Sequence, residues 1–342
     1  MRKRGSVDRP PNRFEPIFVE RDPDRSEAAT TTRVFRDDSR SVISHNSSPD
    51  IPFDVSLNPY RGCEHGCSYC YARPSHEFLG LSAGLDFESM LFAKLEAPQL
   101  LERALRSARW TPQTLAISGV TDAYQPVESK LEITRRCLEV LTHYRNPVGI
   151  ITKSSLIRRD LDLLSELGRL GAVSVTISVT TLDAELAGRL EPRAASPASR
   201  LKTIQLLAGA GIPVGVNAMP VIPGLTDHEV PAILGEAARV GAIWAGYGML
   251  RLPYGVKQIF DRWLQRHYPD RREKVTNRIR ALCGGRLNDS KFGRRRTGTG
   301  AFAAQTQQFF ELARRRNQLE CSAPPLDATH FKRPSSPQLS LF

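Results

Sequence analysis

The chain has 342 residues, 40% of them hydrophobic and 25% charged, with 48 Lys+Arg against 36 Asp+Glu for a net charge of +12. That length buries at least one sizeable core and, at roughly 150 residues per domain, suggests two units; the composition is that of a soluble globular protein. No run approaches the ~18 apolar residues of a membrane span, and Met1–Pro16 carries charge without the apolar stretch of a signal peptide, so the expected location is cytoplasmic and reducing.

In chain order, residues 1–50 are rich in Arg, Asp, Ser and Pro and predict an extended N-terminal arm with little core of its own. Residues 51–255 change character. Short β-branched runs at Thr114–Ser118, Val148–Thr152, Val173–Val179 and Val214–Met219 alternate with helical patterns at Leu131–Tyr144, Leu156–Gly168, Ser199–Ala210 and His228–Val240, and an apolar segment at Ala242–Leu252 completes the series. This alternation predicts βα units on a parallel sheet, a whole barrel or part of one. Residues 256–320 form a basic, mainly helical extension: 261–320 holds 15 Lys+Arg against 6 Asp+Glu, so nine of the twelve surplus charges lie in one sixth of the chain. A cluster of this kind suits a phosphate backbone, while any single run in it also suits a solvated helix face. Residues 321–342, with Pro324, Pro325, Pro334 and Pro337, predict a flexible tail carrying a short terminal peptide.

Three of the six cysteines lie in one stretch, Arg61-Gly62-Cys63-Glu64-His65-Gly66-Cys67-Ser68-Tyr69-Cys70. The spacing lets three thiolates turn toward one centre, with Gly62 and Gly66 relieving the backbone. A closed zinc site needs a fourth ligand, for which His65 and His76 are the near candidates. A cubane iron–sulfur cluster on three thiolates instead leaves one iron open to a ligand. A disulfide framework does not suit a reducing compartment.

With Tyr69 directly before the last cysteine, Asn58-Pro59-Tyr60-Arg61-Gly62 before the motif and Tyr71-Ala72-Arg73 after it, residues 50–255 resemble the radical S-adenosylmethionine (SAM) superfamily, and in wording most of all its spore photoproduct lyase-like branch. The resemblance implies an α/β fold built as a partial (βα)6 TIM-like barrel, with the site at the carboxyl ends of its strands. It also implies a [4Fe-4S] cluster on Cys63, Cys67 and Cys70, with SAM chelating the open iron. Hydrogen abstraction from a substrate would follow, fed by an electron donor such as flavodoxin or ferredoxin. At the strand ends, Gly119, Thr121, Asp122, Lys153, Ser178, Arg193 and Asn217 are the residues expected to bind SAM, Lys153 and Arg193 through its carboxylate. Spore photoproduct lyase uses a cysteine near the end of strand two as hydrogen-atom donor. Here that stretch, Gly119–Tyr124, has none, which leaves the reaction open and makes Tyr124 the nearest redox-capable residue. Cys137, on a predicted helix, reads as a small apolar core residue, and Cys283 and Cys321 lie beyond the barrel.

The last five residues, Gln338-Leu339-Ser340-Leu341-Phe342, resemble the bacterial sliding-clamp binding motif, in which Gln338 and Leu339 would fill one subsite and Leu341 and Phe342 a hydrophobic pocket. Such a contact would be weak, roughly micromolar. Together with the basic segment it favours DNA as substrate. RNA, a nucleotide or a protein are the alternative substrates, and a non-enzymatic iron–sulfur DNA-binding adapter is the alternative class.

Overall fold

The computed structural model describes residues 4–6, 8–14 and 31–333. Ten strands occur in it: β1 (Arg33–Arg36), β2 (Ile43–His45), β3 (Val55–Leu57), β4 (Tyr60–Arg61), β5 (Met90–Ala93), β6 (Leu115–Ile117), β7 (Val148–Thr152), β8 (Val173–Ser178), β9 (Val214–Val221) and β10 (Trp244–Met249). Seven of them form one sheet in the order β10-β9-β8-β7-β6-β3-β2. β3 and β6 to β10 are parallel to their neighbours, and β2 lies antiparallel on the β3 edge. Six parallel strands in chain order, open between β10 and β2, make the parallel βα sheet that the strand–helix alternation predicted, in the partial (βα)6 form that the family resemblance implied.

The strands are central because their sequences are apolar on both faces. β6 is buried at every position and β8 (VSVTIS) at all but one, as expected where helices cover one side of a parallel sheet and a core fills the other. The intervening helices show the complementary stripe: Ile133, Cys137, Leu138, Leu141 and Tyr144 are buried along the helix Ile133–Tyr144. Cys137 is therefore a core residue, as its apolar neighbours predicted.

Outside the barrel the structure adds features that periodicity did not show. The N-terminal arm is not merely extended. It contributes β2 to the main sheet and β1 to a three-stranded sheet of order β1-β5-β4. Its first residues bind the molecule through polar groups: the Gly5 and Ser6 amides donate to Glu88 at 3.0 and 2.7 Å, and Arg9 and Arg13 pair with Asp86 and Glu77. The extension is helical at Val256–His267, Pro269–Leu282 and Ala301–Arg316. Residues 321–333 form no regular element, yet they are anchored, with the Asp327 amide donating to the Gly171 carbonyl at 2.9 Å, the Lys332 amide to that of Tyr144 at 3.0 Å, and Phe331 against the core. The flexible tail expected from Cys321 therefore does not begin there. The terminal peptide Gln338–Phe342 lies outside the described residues. Among the described residues no helix is long and apolar enough to cross a membrane.

Candidate active site

The cysteine loop leaves the carboxyl end of β3 through β4 and is shaped by two glycines. Gly62 and Gly66 have φ of 80° and 66°. A Cβ on Gly66 would stand 2.6 Å from the Glu88 carboxylate, and one on Gly62 would stand 2.8 Å from Leu91, so only glycine fits either turn. Two successive turns follow, closed by the Gly66 amide to the Cys63 carbonyl at 3.4 Å and the Cys70 amide to the Cys67 carbonyl at 3.2 Å. The loop is held from several sides. Gln125 accepts from the Glu64 amide at 2.8 Å and donates to the Gly62 carbonyl at 3.1 Å. Arg73, fully buried, donates to the Cys67 carbonyl through Nε (2.9 Å) and Nη2 (2.8 Å) and pairs with buried Glu88 at 2.5 Å.

All three thiols lie inside this frame, Cys63 and Cys67 buried and Cys70 partly so. Burial pushes each thiol up from its usual range. The Asp122 carboxylate adds to that effect at Cys63 and Glu191 at Cys67, while Lys153 opposes it at Cys67, and Arg73 and Lys153 oppose it at Cys70. Each candidate fourth ligand has one ring nitrogen engaged elsewhere: His65 Nδ1 lies 3.4 Å from Asp122, and His76 Nε2 lies 2.8 Å from the Met90 carbonyl. Among the described residues no three His, Cys, Asp or Glu side chains converge on a single ion position, as a mononuclear zinc site requires. A cubane places each thiolate on a different iron, so it needs a shared pocket rather than convergence. Three thiols on one loop, two of them buried and one partly so, with no three-ligand ion site among the described residues, fit a [4Fe-4S] cluster.

The residues expected to bind SAM divide into three groups. Asp122, Thr121 and Gly119 are engaged in building the site. Asp122 Oδ1 accepts from the Thr152 hydroxyl at 2.7 Å and the Tyr124 amide at 2.9 Å, and its Oδ2 accepts from the Lys153 amide at 2.8 Å. Thr121 donates to the Tyr60 carbonyl at 2.9 Å, and the Gly119 carbonyl accepts from the Tyr71 hydroxyl at 2.7 Å. Arg193 is likewise engaged, pairing with Glu64 at 2.8 Å and donating to Thr32 at 3.2 Å. Ser178, buried, offers its carbonyl to Arg200 at 3.0 Å.

Lys153 and Asn217 remain. Lys153 is partly exposed at the end of β7, its charge reaches Cys67, Cys70 and Glu191, and among the described residues no carboxylate lies within 4.0 Å of its ammonium. Asn217 is partly exposed on β9, and a Cβ on Gly246 would stand 2.4 Å from its Oδ1, so the neighbouring glycine makes room for the amide. Tyr124 is corrected outright. It is fully buried in the hydrophobic core, and burial with the Asp160 and Glu128 carboxylates raises its phenol well above the usual range. A hydrogen-atom donor to a bound substrate needs access that this position lacks.

One element of the site escaped the sequence reading. Glu191, beside Arg193, is buried and accepts from Thr180 at 2.7 Å, from the Tyr69 hydroxyl and from the Arg200 guanidinium. Burial alone would raise its pKa, but Arg200, Lys153 and the Tyr69 hydrogen bond outweigh it and hold the carboxyl at about 2. The aromatic before the last cysteine is thereby tied to a fixed charge behind the loop. The basic runs of the extension are partly neutralised: Arg272 pairs with Asp261, Arg278 with Asp227, Arg295 with Asp50 and Arg314 with Glu311.

A family model described as the radical SAM superfamily matches residues 57–237. An uncharacterised protein of Mycobacterium tuberculosis is 35% identical over 222 residues, covering 64% of this chain and 65% of the relative. An uncharacterised protein of Methanocaldococcus jannaschii is 27% identical over 222 residues, covering 65% of this chain and 79% of the relative. The chain thus spans less than two thirds of the length of the mycobacterial relative. Among solved structures, spore photoproduct lyase complexed with dinucleoside spore photoproduct is similar, with a TM-score of 0.59 and 15% identity over 83% of this chain and 79% of that one. A variant of that lyase with bound AdoMet and dinucleoside spore photoproduct also has a TM-score of 0.59, covering 87% of this chain and 85% of its own. At this identity the likeness is one of fold.

Proposed function

The chain belongs to the radical SAM superfamily, and on that premise we propose that it abstracts a hydrogen atom from a nucleic acid, DNA in first place, using a [4Fe-4S] cluster on Cys63, Cys67 and Cys70 together with SAM. The observation that carries the reading is the placement of three thiols, two buried and one partly so, on one loop at the carboxyl end of the first parallel strand. When bound, the cluster and SAM supply reductive carbon–sulfur cleavage and the radical that takes the hydrogen.

The chain's own residues supply position and charge. Lys153 is the cation available for the SAM carboxylate, since Arg193 is held by Glu64. Asn217, on β9 beside Ser178 at the end of β8, presents an amide to a ribose hydroxyl. Asp122 fixes the amide of Lys153 and so aims it. The nucleic-acid substrate is supported by the net charge of +12, most of it beyond the barrel, and by the dinucleoside lesion bound to the similar lyase. Flavodoxin or ferredoxin is the class of reductant the reading calls for, and the terminal Gln338–Phe342 peptide would recruit the protein to a sliding clamp.

The test is anaerobic: the reconstituted protein, reduced in the presence of SAM, is expected to release 5′-deoxyadenosine, and deuterium placed on a nucleic-acid substrate is expected to appear in it. A well-formed cluster that yields no 5′-deoxyadenosine points instead to the adapter. Lys153→Ala is expected to raise the SAM dissociation constant by about 10- to 100-fold, the range for a charge-assisted hydrogen bond, with cluster content unchanged. Calorimetric titration of SAM measures it, and unchanged affinity rules Lys153 out as the carboxylate partner.

A further inference from the structure

A cleft of about 630 Å³ is walled by Arg251, Tyr254, Lys257, Arg280, Arg286 and Arg295, none of which lies in the segment matched to the family, 57–237. We propose that this cleft binds an unpaired stretch of nucleic acid, stacking a base on Tyr254 and holding phosphates on Arg251, Arg280 and Arg286. The proposal rests on the nucleic-acid reading above and specifies the strand form and the surface that takes it.

The first argument is charge. Among the described residues five cations line the cleft and no carboxylate does. Asp50 balances Arg295 at 2.5 Å, but among the described residues no carboxylate lies within 4.0 Å of Arg251, Lys257, Arg280 or Arg286. Burial and the nearby guanidinium groups of Arg295 and Arg296 disfavour the charge on Arg251, and among the described residues its buried Nε has no hydrogen-bond partner, nor does buried Asn288 Oδ1 in the same wall. Cations crowded in this way are stabilised by an anion with several charges.

The second argument is the aromatic groups set among those cations. Tyr254 is 57% exposed and held at φ 49°, a left-handed backbone that a non-glycine residue rarely adopts. The Arg13 guanidinium lies 3.6 Å from its ring centroid. Phe292, also 57% exposed, carries Arg295 at 4.4 Å, and Tyr71, 50% exposed, carries Arg251 at 5.3 Å. Exposed rings interleaved with arginines are the platform that single strands use. A space of this size is that of a small-ligand pocket; it takes one or two unstacked nucleotides and not a base-paired helix. Arg251 in the cleft wall lies over Tyr71, the residue after Cys70, so that wall reaches the cysteine loop.

The test uses the reconstituted full-length chain and fluorescence anisotropy with a labelled single strand of about 12 nucleotides, free and as a duplex. The single strand is expected to bind more tightly. Tyr254→Ala should weaken it on the order of 10-fold, with Tyr254→Phe close to wild type, as stacking predicts. Arg280→Ala with Arg286→Ala should lower the slope of log affinity against log salt by roughly 1.4, about 0.7 for each phosphate contact to a single strand. In each variant, 5′-deoxyadenosine release without substrate should stay at the wild-type level. If the duplex binds more tightly, or these variants leave binding unchanged, the cleft is not the site although the nucleic-acid reading stands. If the active wild-type protein binds no nucleic acid in any form, that reading fails and the cleft proposal with it.

Discussion

Cys67→Ala is expected to abolish 5′-deoxyadenosine formation and to leave the reconstituted protein without its iron–sulfur absorbance, and Cys63→Ala and Cys70→Ala are expected to do the same. The loss should exceed the 10- to 100-fold, roughly, of changes to residues behind a metal's ligands, because two thiolates cannot retain a cubane that already lacks a fourth protein ligand. Burial raises all three thiols, so the unloaded loop holds them protonated and loading releases their protons. Cluster assembly should accordingly slow as pH falls, which a reconstitution series followed by iron content measures. Cys137→Ala and Cys321→Ala are the controls. Cys137 is in the core and Cys321 exposed, and both variants should keep full cluster content. A Cys67→Ala protein that retains cluster and turnover would remove the basis of the proposed function.

The parts of this site that were legible in the sequence are those encoded locally. The three cysteines share one loop, and strands such as β7 and β8 announce themselves by β-branched runs that a two-sided parallel sheet requires. Lys153 could be singled out because it follows such a run, and Asn217 because it is the polar residue inside one, level with Ser178 at the end of β8. What could not be read depends on distant pairing. Glu191 meets Arg200 nine residues on, but it meets Tyr69 across 122 residues, and no periodicity reports that distance. The pairing of Arg193, two residues after Glu191, was hidden for the same reason: its partner Glu64 is part of the cysteine loop itself. Tyr124 was misplaced because its polar neighbours Asp122 and Gln125 suggested an open loop, whereas both turn inward to hold the cysteine loop and β7, and the ring goes with them into the core. The arm's attachment was hidden by composition. It packs through backbone and polar groups so closely that a Cβ on Gly5 would fall 1.5 Å from the Gly66 carbonyl, a contact that leaves no apolar trace.

Glu191→Gln is expected to destabilise the fold by about 3 to 5 kcal/mol, since it strands the buried Arg200 guanidinium without its counter-charge. The melting temperature should fall by on the order of 10 °C. Arg200→Met leaves Glu191 in the converse position and should cost a similar amount. The double variant should recover much of the loss, because a buried ion pair replaced as a unit often costs little, and the coupling between the two residues is what a double-mutant cycle reads. Additive losses would show that the two charges do not act on one another. Acid should reproduce the effect in the unsubstituted protein. The Glu191 carboxyl is held at about 2 in the fold against 4.5 as its ordinary value, so its contribution is fully present above pH 4.5 and is lost as pH falls toward 2. The consequence extends to the site, because the same carboxylate accepts from Tyr69 between Cys67 and Cys70. Partial loss of Glu191 should therefore loosen the cysteine loop before the barrel melts, seen as cluster loss from Glu191→Gln at temperatures where the circular dichroism of the helices is still intact.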